Sequence, residues 1–132
     1  MGMTGGQMSQ EMQACIQSCL NCHAICTQTV AYCLQMGGAH AEAGHIKALL
    51  DCAQTCITSA DFMLRGSELH GRVCGLCAEA CTRCAESCER IGASDQQMQA
   101  CAQECRRCAQ SCQRMAGIAA LVNRADQACV SA

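Results

Sequence analysis

The chain of 132 residues contains no proline and no tryptophan, and Tyr32 and Phe62 are its only aromatic residues. The bulky side chains that usually dominate burial are therefore nearly absent. Charge of one sign is not in excess either: nine Lys and Arg stand against eleven Asp and Glu, for a net charge of −2. With no basic stripe, nucleic acid has no electrostatic footprint to bind. No stretch approaches about 18 uninterrupted apolar residues, so no membrane span is expected. The opening MGMTGGQMSQ lacks a basic region followed by an apolar run and does not read as a secretory leader. Its MTGGQ recurs in a common expression tag, and residues 1–7 are left outside the fold reading. The expected location is the cytoplasm, where thiols stay reduced.

What the chain has instead is cysteine, seventeen in all, on a background of helix formers. Glycine-containing breaks at Gly37-Gly38, Gly66-Ser67 and Gly92-Ala93-Ser94 divide it into four segments, roughly 9–36, 39–65, 67–91 and 94–115. Ser67 reads as an N-cap, and Ser94 with Gln97 as a capping box. Helices of similar length joined by short connections favour an all-α fold, an antiparallel up-down-up-down four-helix bundle. The expected organisation is one domain over 1–132. The bundle takes about 9–115, with an N-terminal tail 1–8 and a C-terminal tail 116–132 that could form a short apolar helix over the bundle end.

Each segment carries one stripe at alternating +4 and +3 spacing, the repeat of an inward-facing helix seam. The first stripe is Met8, Met12, Cys15, Cys19, Cys22, Cys26, Thr29, Cys33, Met36, and the second His45, Leu49, Cys52, Cys56, Ser59, Met63. The third is His70, Cys74, Cys77, Cys81, Cys84, Cys88, Ile91, and the fourth Met98, Cys101, Cys105, Cys108, Cys112, Met115. Sixteen of the seventeen cysteines fall on these seams, which makes the predicted core a tube of thiols roughly 25–30 Å long. Threading the helices alternately gathers Met36, His45 and Met98 beside Cys33, Cys88 and Cys101 at one end. Met12, Met63, His70 and Met115 gather at the other. His45 and His70 are candidate ligands or passage residues, His23 reads as a core or surface histidine, and His40 as solvent-exposed. Cys129 lies in the tail, outside the array.

A single buried cysteine is usually only a small hydrophobe; sixteen in register are not. Disulfides along a seam are disfavoured, because one helical turn separates Cβ atoms by about 5–6 Å where a bridge needs about 3.8 Å. A four-thiolate zinc site would leave two negative charges in a dry core, although bridging sulfurs could soften that cost. Iron–sulfur clusters are compact and fit an evenly spread array badly. Cu(I) fits best. Thiolate and thioether ligands select it, and two or three sulfurs satisfy it. Each Cu⁺ can also displace one H⁺ from a buried neutral thiol, leaving the charge of the core unchanged.

Taken together, "CIQSCLNCHAIC", "CAQTC", "CGLCAEACTRCAESC" and "CAQECRRCAQSC" resemble the bacterial copper storage proteins over roughly residues 9–115. The resemblance implies many Cu(I) ions held inside each bundle by cysteine thiolates, with His and Met near an end involved in binding or passage. Carried over position by position, the ligands are Cys15, Cys19, Cys22, Cys26, Cys33, Cys52, Cys56, Cys74, Cys77, Cys81, Cys84, Cys88, Cys101, Cys105, Cys108 and Cys112. The cytosolic branch of that family implies a homotetramer, with copper donor or acceptor proteins as further partners. Thr29, Leu49 and Ser59 occupy seam positions that elsewhere carry thiols, so helix 2 contributes few ligands. The expected function is cytosolic storage or buffering of Cu(I), not catalysis, since Asp and Glu fall on outer faces and no activated nucleophile is apparent. A thiol-based redox sensor and a zinc or cadmium thiolate buffer are the alternatives.

Overall fold

The computed structural model describes the backbone of residues 8–131 and side chains from Met8 to Ala119. Four helices follow one another: α1 (Gln10–Met36), α2 (Ala43–Leu64), α3 (His70–Ile91) and α4 (Gln96–Ser131), with a short 3-10 turn, Gly38–Ala41, between α1 and α2. Sequential helices pack side by side and α1 closes the ring against α4, which is the up-down-up-down bundle expected from the short connections. Among the described residues there is no strand.

Local chemistry sets the helix ends. The Ser9 hydroxyl accepts from the Met12 N–H at 3.1 Å and caps α1. Gly37 and Gly38 take φ of +70° and +55°, left-handed values that glycine adopts without a Cβ clash, and so turn the chain sharply into α2. The capping box expected at Ser94 is not the one used: the Asp95 carboxylate accepts from the N–H groups of Gln97 and Met98, at 2.9 and 3.2 Å. A carboxylate there also faces the positive end of the helix dipole, which a serine hydroxyl cannot exploit. Nor does Ser67 cap a helix beginning beside it. Its hydroxyl accepts from Leu69 N–H within a turn, and α3 starts at His70.

The largest departure from the sequence reading is at the C-terminal side. Helix 4 does not stop near residue 115 but runs unbroken through Gly117 to Ser131. A lone glycine costs a helix only about 1 kcal/mol, too little to end one flanked by Ala, Met, Arg and Ile. The extension packs on the start of α3, where a Cβ added at Gly71 would collide with the Ala119 methyl. Cys129 lies outside the described side chains.

The core is built from small side chains. Every cysteine on the four seams is fully buried, and Leu49, Met63 and Met98 are the largest residues enclosed with them. Alanines beside the seams, Ala53, Ala60, Ala78, Ala85, Ala102 and Ala109, are buried too, and let the helices approach. The contrast between two glycines of α3 tests this packing. Gly71→Ala is expected to lower the stability of the reduced, metal-free protein by about 1–2 kcal/mol, the cost of overpacking against Ala119. Gly75→Ala, whose new methyl would meet Ala116 at an ordinary 3.8 Å, should raise stability by about 0.5–1 kcal/mol; denaturant midpoints measure both.

Candidate metal centre

Antiparallel threading turns four one-dimensional stripes into a stack of sulfur layers. At the α1 N-terminal end, Cys15 and Cys19 both touch Cys112, at 3.7 and 3.6 Å. Cys108 meets Cys19 at 3.7 Å and Cys56 at 3.8 Å. Cys56 also contacts Cys77 and Cys81, each at 3.6 Å. Further along, Cys52 lies 3.6 Å from Cys81 and 3.7 Å from Cys22. Cys105 then joins Cys22 at 3.7 Å to Cys26 at 3.6 Å. Cys26 reaches Cys101 at 3.8 Å and Cys84 at 4.0 Å. The chain of contacts is continuous from Cys15 to Cys101, and it includes quartets such as Cys22, Cys26, Cys52 and Cys105 whose sulfurs all lie within 4.8 Å of one another.

None of the sixteen seam thiols is in a disulfide, and separations of 3.6–4.0 Å stand well beyond the ~2.05 Å of an S–S bond. They match a different geometry. With metal–sulfur bonds of about 2.3 Å, two sulfurs on one three-coordinate ion lie about 4.0 Å apart, and two on a linear ion about 4.6 Å. The tube therefore accepts trigonal ions almost as it stands, and linear ones after the sulfurs part by about 1 Å at most.

The thiols are chemically poised to exchange a proton for a monovalent ion. Burial, reinforced by the neighbouring Cys101 and Asp95, pushes the Cys33 thiol up to about 11. Inside the stack the contacts work in opposite directions: Cys101 raises Cys105, while Cys105 lowers Cys22. A thiolate held by neighbouring S–H donors makes the next one harder to form, so without metal the core cannot accumulate anions.

The layers are interrupted where the seams carry other residues. Ser59 substitutes for a thiol and contacts Cys74 at 3.3 Å. Thr29 and Leu49, both fully buried, lie between the main stack and a separate group at the far end. There Cys33 Sγ lies 3.4 Å from His45 Nε2 and 3.5 Å from Met98 Sδ. His45 Nδ1 and the Ser87 hydroxyl are 2.7 Å apart; with Nδ1–H donating, Nε2 offers its lone pair to the same space as the two sulfurs. Burial lowers the His45 pKa, which favours the neutral ring that a metal requires. Met98 reaches this position because Gly92 beside it has no side chain, and a Cβ there would overlap the Met98 stem.

Other residues singled out in the sequence fall differently. Met63 and Met115 are buried at the opposite end and Met8 and Met12 are part-buried, but Met36 is 54% exposed: its end of the bundle is already filled by Met98 and His45. His70 is part-buried and its Nδ1 bonds to the Ser67 carbonyl at 2.8 Å; among the described residues no sulfur is bonded to it. His23 bridges two helices through the Ala53 carbonyl at 2.8 Å. His40, expected in solvent, is instead part-buried and paired with Asp95 at 3.1 Å, because the 3-10 turn folds it back over the start of α4. Sequence reasoning missed Ser87 and Gly92 as supports of the Cys33 group, since both lie off the seams.

Comparison with known proteins agrees with this geometry. The sequence model of a family described as "Copper storage protein" matches residues 8–117. The Nmul_A1745 protein of Nitrosospira multiformis has a crystal structure that superposes with a TM-score of 0.78 at 44% identity, over 83% of this chain and 97% of that one. The Cu(I)-bound copper storage protein BsCsp3 gives a TM-score of 0.75 at 32% identity, over 81% and 99% of the two chains. Ccsp of Streptomyces lividans, loaded with 10 copper equivalents, gives 0.78 at 28% identity over 86% and 90%. A cysteine-rich protein of Bacillus subtilis, YhjQ, is 34% identical over 72 residues, which is 54% of this chain and 67% of its own length. A family match across the whole bundle, on a fold whose interior is lined with thiols, places this chain in the copper storage protein family.

Proposed function

We propose that this protein stores Cu(I), holding many ions at once by the thiolates of its sixteen seam cysteines, with His45 and Met98 completing the donor set around Cys33. The observation that carries the reading is the unbroken sulfur stack from Cys15 to Cys101, at separations suited to shared low-coordinate ions. His70 is the weakest member of the ligand set read from the sequence: its Nδ1–H donates to the Ser67 carbonyl, which leaves Nε2 free, but no thiol among the described residues is bonded to it. The role is storage rather than catalysis: the donors are enclosed, and the imidazole that touches a thiol, His45 against Cys33, is itself fully buried. A zinc buffer would find four-sulfur cages here, but divalent ions in them would leave uncompensated negative charge in a dry interior. Unpaired thiols in this number suit a reducing compartment, which supports a cytoplasmic location. Among the described residues no helix is long and apolar enough to cross a membrane. Assembly into a tetramer and exchange with donor and acceptor proteins complete the proposal; the exposed Leu34, Leu50, Leu64, Leu69 and Leu76 give subunits apolar surface to bury.

Two measurements test it. Titration of the reduced chain with Cu(I) against a chromogenic chelator should reach saturation at a number of ions comparable to its sixteen seam thiols. About one proton should be released per ion bound. Saturation at one or two ions would refute storage and favour a thiol sensor. Separately, Cys81→Ser or Cys105→Ser should each lower capacity by about one ion while helicity by circular dichroism stays unchanged, because one thiolate neutralises one Cu⁺.

A further inference from the structure

The Cys33–His45–Met98 group lies at an end of the bundle, yet all three side chains are fully buried. At that end the chain makes two turns, one joining α1 to α2 and the other α3 to α4, and one carboxylate ties them together. Asp95, at the start of α4, accepts through Oδ2 from the Tyr32 hydroxyl at 2.6 Å and from His40 Nε2–H at 3.1 Å. Its Oδ1 accepts from the N–H groups of Gln97 and Met98. The Tyr32 and His40 rings meet edge to face at 6.0 Å. A carboxylate acceptor makes these charge-assisted hydrogen bonds, stronger than those between neutral groups.

The element that His40 anchors is short and turns on glycine. It is a 3-10 turn of small residues, Gly38–Ala41, entered through two successive glycines in left-handed conformation. Besides its packing on α1 and α2, it is flanked by an exposed pair, Glu42 with Arg90 at 3.6 Å, of a kind that contributes little. None of Tyr32, His40 and Asp95 supplies a donor atom to the sulfur tube, so the sequence reading gave them no role.

Building on the storage reading, we infer that Tyr32, His40 and Asp95 form a latch that holds the α1–α2 turn closed over the Cys33–His45–Met98 group and sets the rate at which Cu(I) passes this end. Asp95 acts as a positioning residue: it fixes the first turn of α4, and with it Met98, while His40 and Tyr32 fix the turn above. Opening the turn about its glycines would bring the His45 and Met98 donors to solvent before any thiol of the main stack.

The test uses the full chain loaded with Cu(I) and follows transfer to excess chromogenic chelator, with total copper read after denaturation. His40→Ala and Tyr32→Phe each remove one hydrogen bond of the latch and touch no donor atom. Each should speed transfer about ten- to hundredfold, the shift in an open–closed equilibrium that one hydrogen bond to a charged group accounts for. Capacity should not change. Arg106→Ala, which breaks an exposed pair with Glu89 on the outer face, is the control and should leave the rate alone. Rates within about twofold of the unsubstituted chain in both latch variants, less than one hydrogen bond would give, would overturn the latch alone if capacity is high. An equal acceleration by Arg106→Ala would overturn it as mere loosening. A capacity of one or two ions in the unsubstituted chain would overturn the storage reading and the latch with it.

Discussion

A dry helical core cannot accumulate charge, and the rest of this structure depends on that constraint. Burying one unpaired anion costs several kcal/mol, far more than a single helix contact returns. Sixteen enclosed cysteines are tolerable only as neutral thiols or as thiolates matched one for one by a monovalent cation. The pKa directions express the same limit, since burial raises Cys33 and contact with Cys101 raises Cys105. A proton and a Cu⁺ carry the same charge, so exchanging one for the other leaves the electrostatics of the bundle unchanged while replacing S–H contacts with metal–sulfur bonds.

The seams were legible because two periodicities coincide. The +4/+3 spacing that buries one face of a helix also places sulfurs one turn apart, so locating the core located the donors. Signals that do not repeat were harder to read. Ser94 and Gln97 fit a capping box, but Asp95 carries a charge as well as an acceptor and takes the N-terminus of α4. The expected end of the last helix near residue 115 rested on no strong breaker, and Gly117 alone costs a helix only about 1 kcal/mol. His40 was assigned to solvent because it sits in a turn; only the fold shows that this turn lies beside Asp95, fifty-five residues away in sequence. Ser87 and Gly92 were invisible for a related reason. Each matters through one contact with a seam residue on another element, and no pattern along the chain encodes that.

The two ends of the bundle differ in consequence. At one, Met63 and Met115 are buried while Met8 and Met12 are part-buried, and α4 continues past them against the start of α3. At the other, the donor types are mixed and the cover is a short turn hinged on glycines. Thr29 and Leu49 separate that mixed group from the main stack, and Gln97 donates to the Thr29 hydroxyl at 3.0 Å, satisfying it within the interior. Thioether and imidazole donors are neutral, so they can hold a cation without first releasing a proton. That property suits a site of passage better than a place of storage, where charge matching by thiolate is needed.

Sulfur in place of leucine also decides when the bundle forms. Many small metal domains fold only around their ion, because nothing else fills the centre. Here the thiols already touch across all four helices at 3.6–4.0 Å, and no buried side-chain nitrogen or oxygen among the described residues lacks a partner. At these separations neutral S–H groups pack as small hydrophobes. Loading then requires these sulfurs to move apart by about 1 Å at most, by comparison of the contacts with the roughly 4.0–4.6 Å chords of low-coordinate ions. Metal–sulfur bonds then add to the stability that the packed helices already supply.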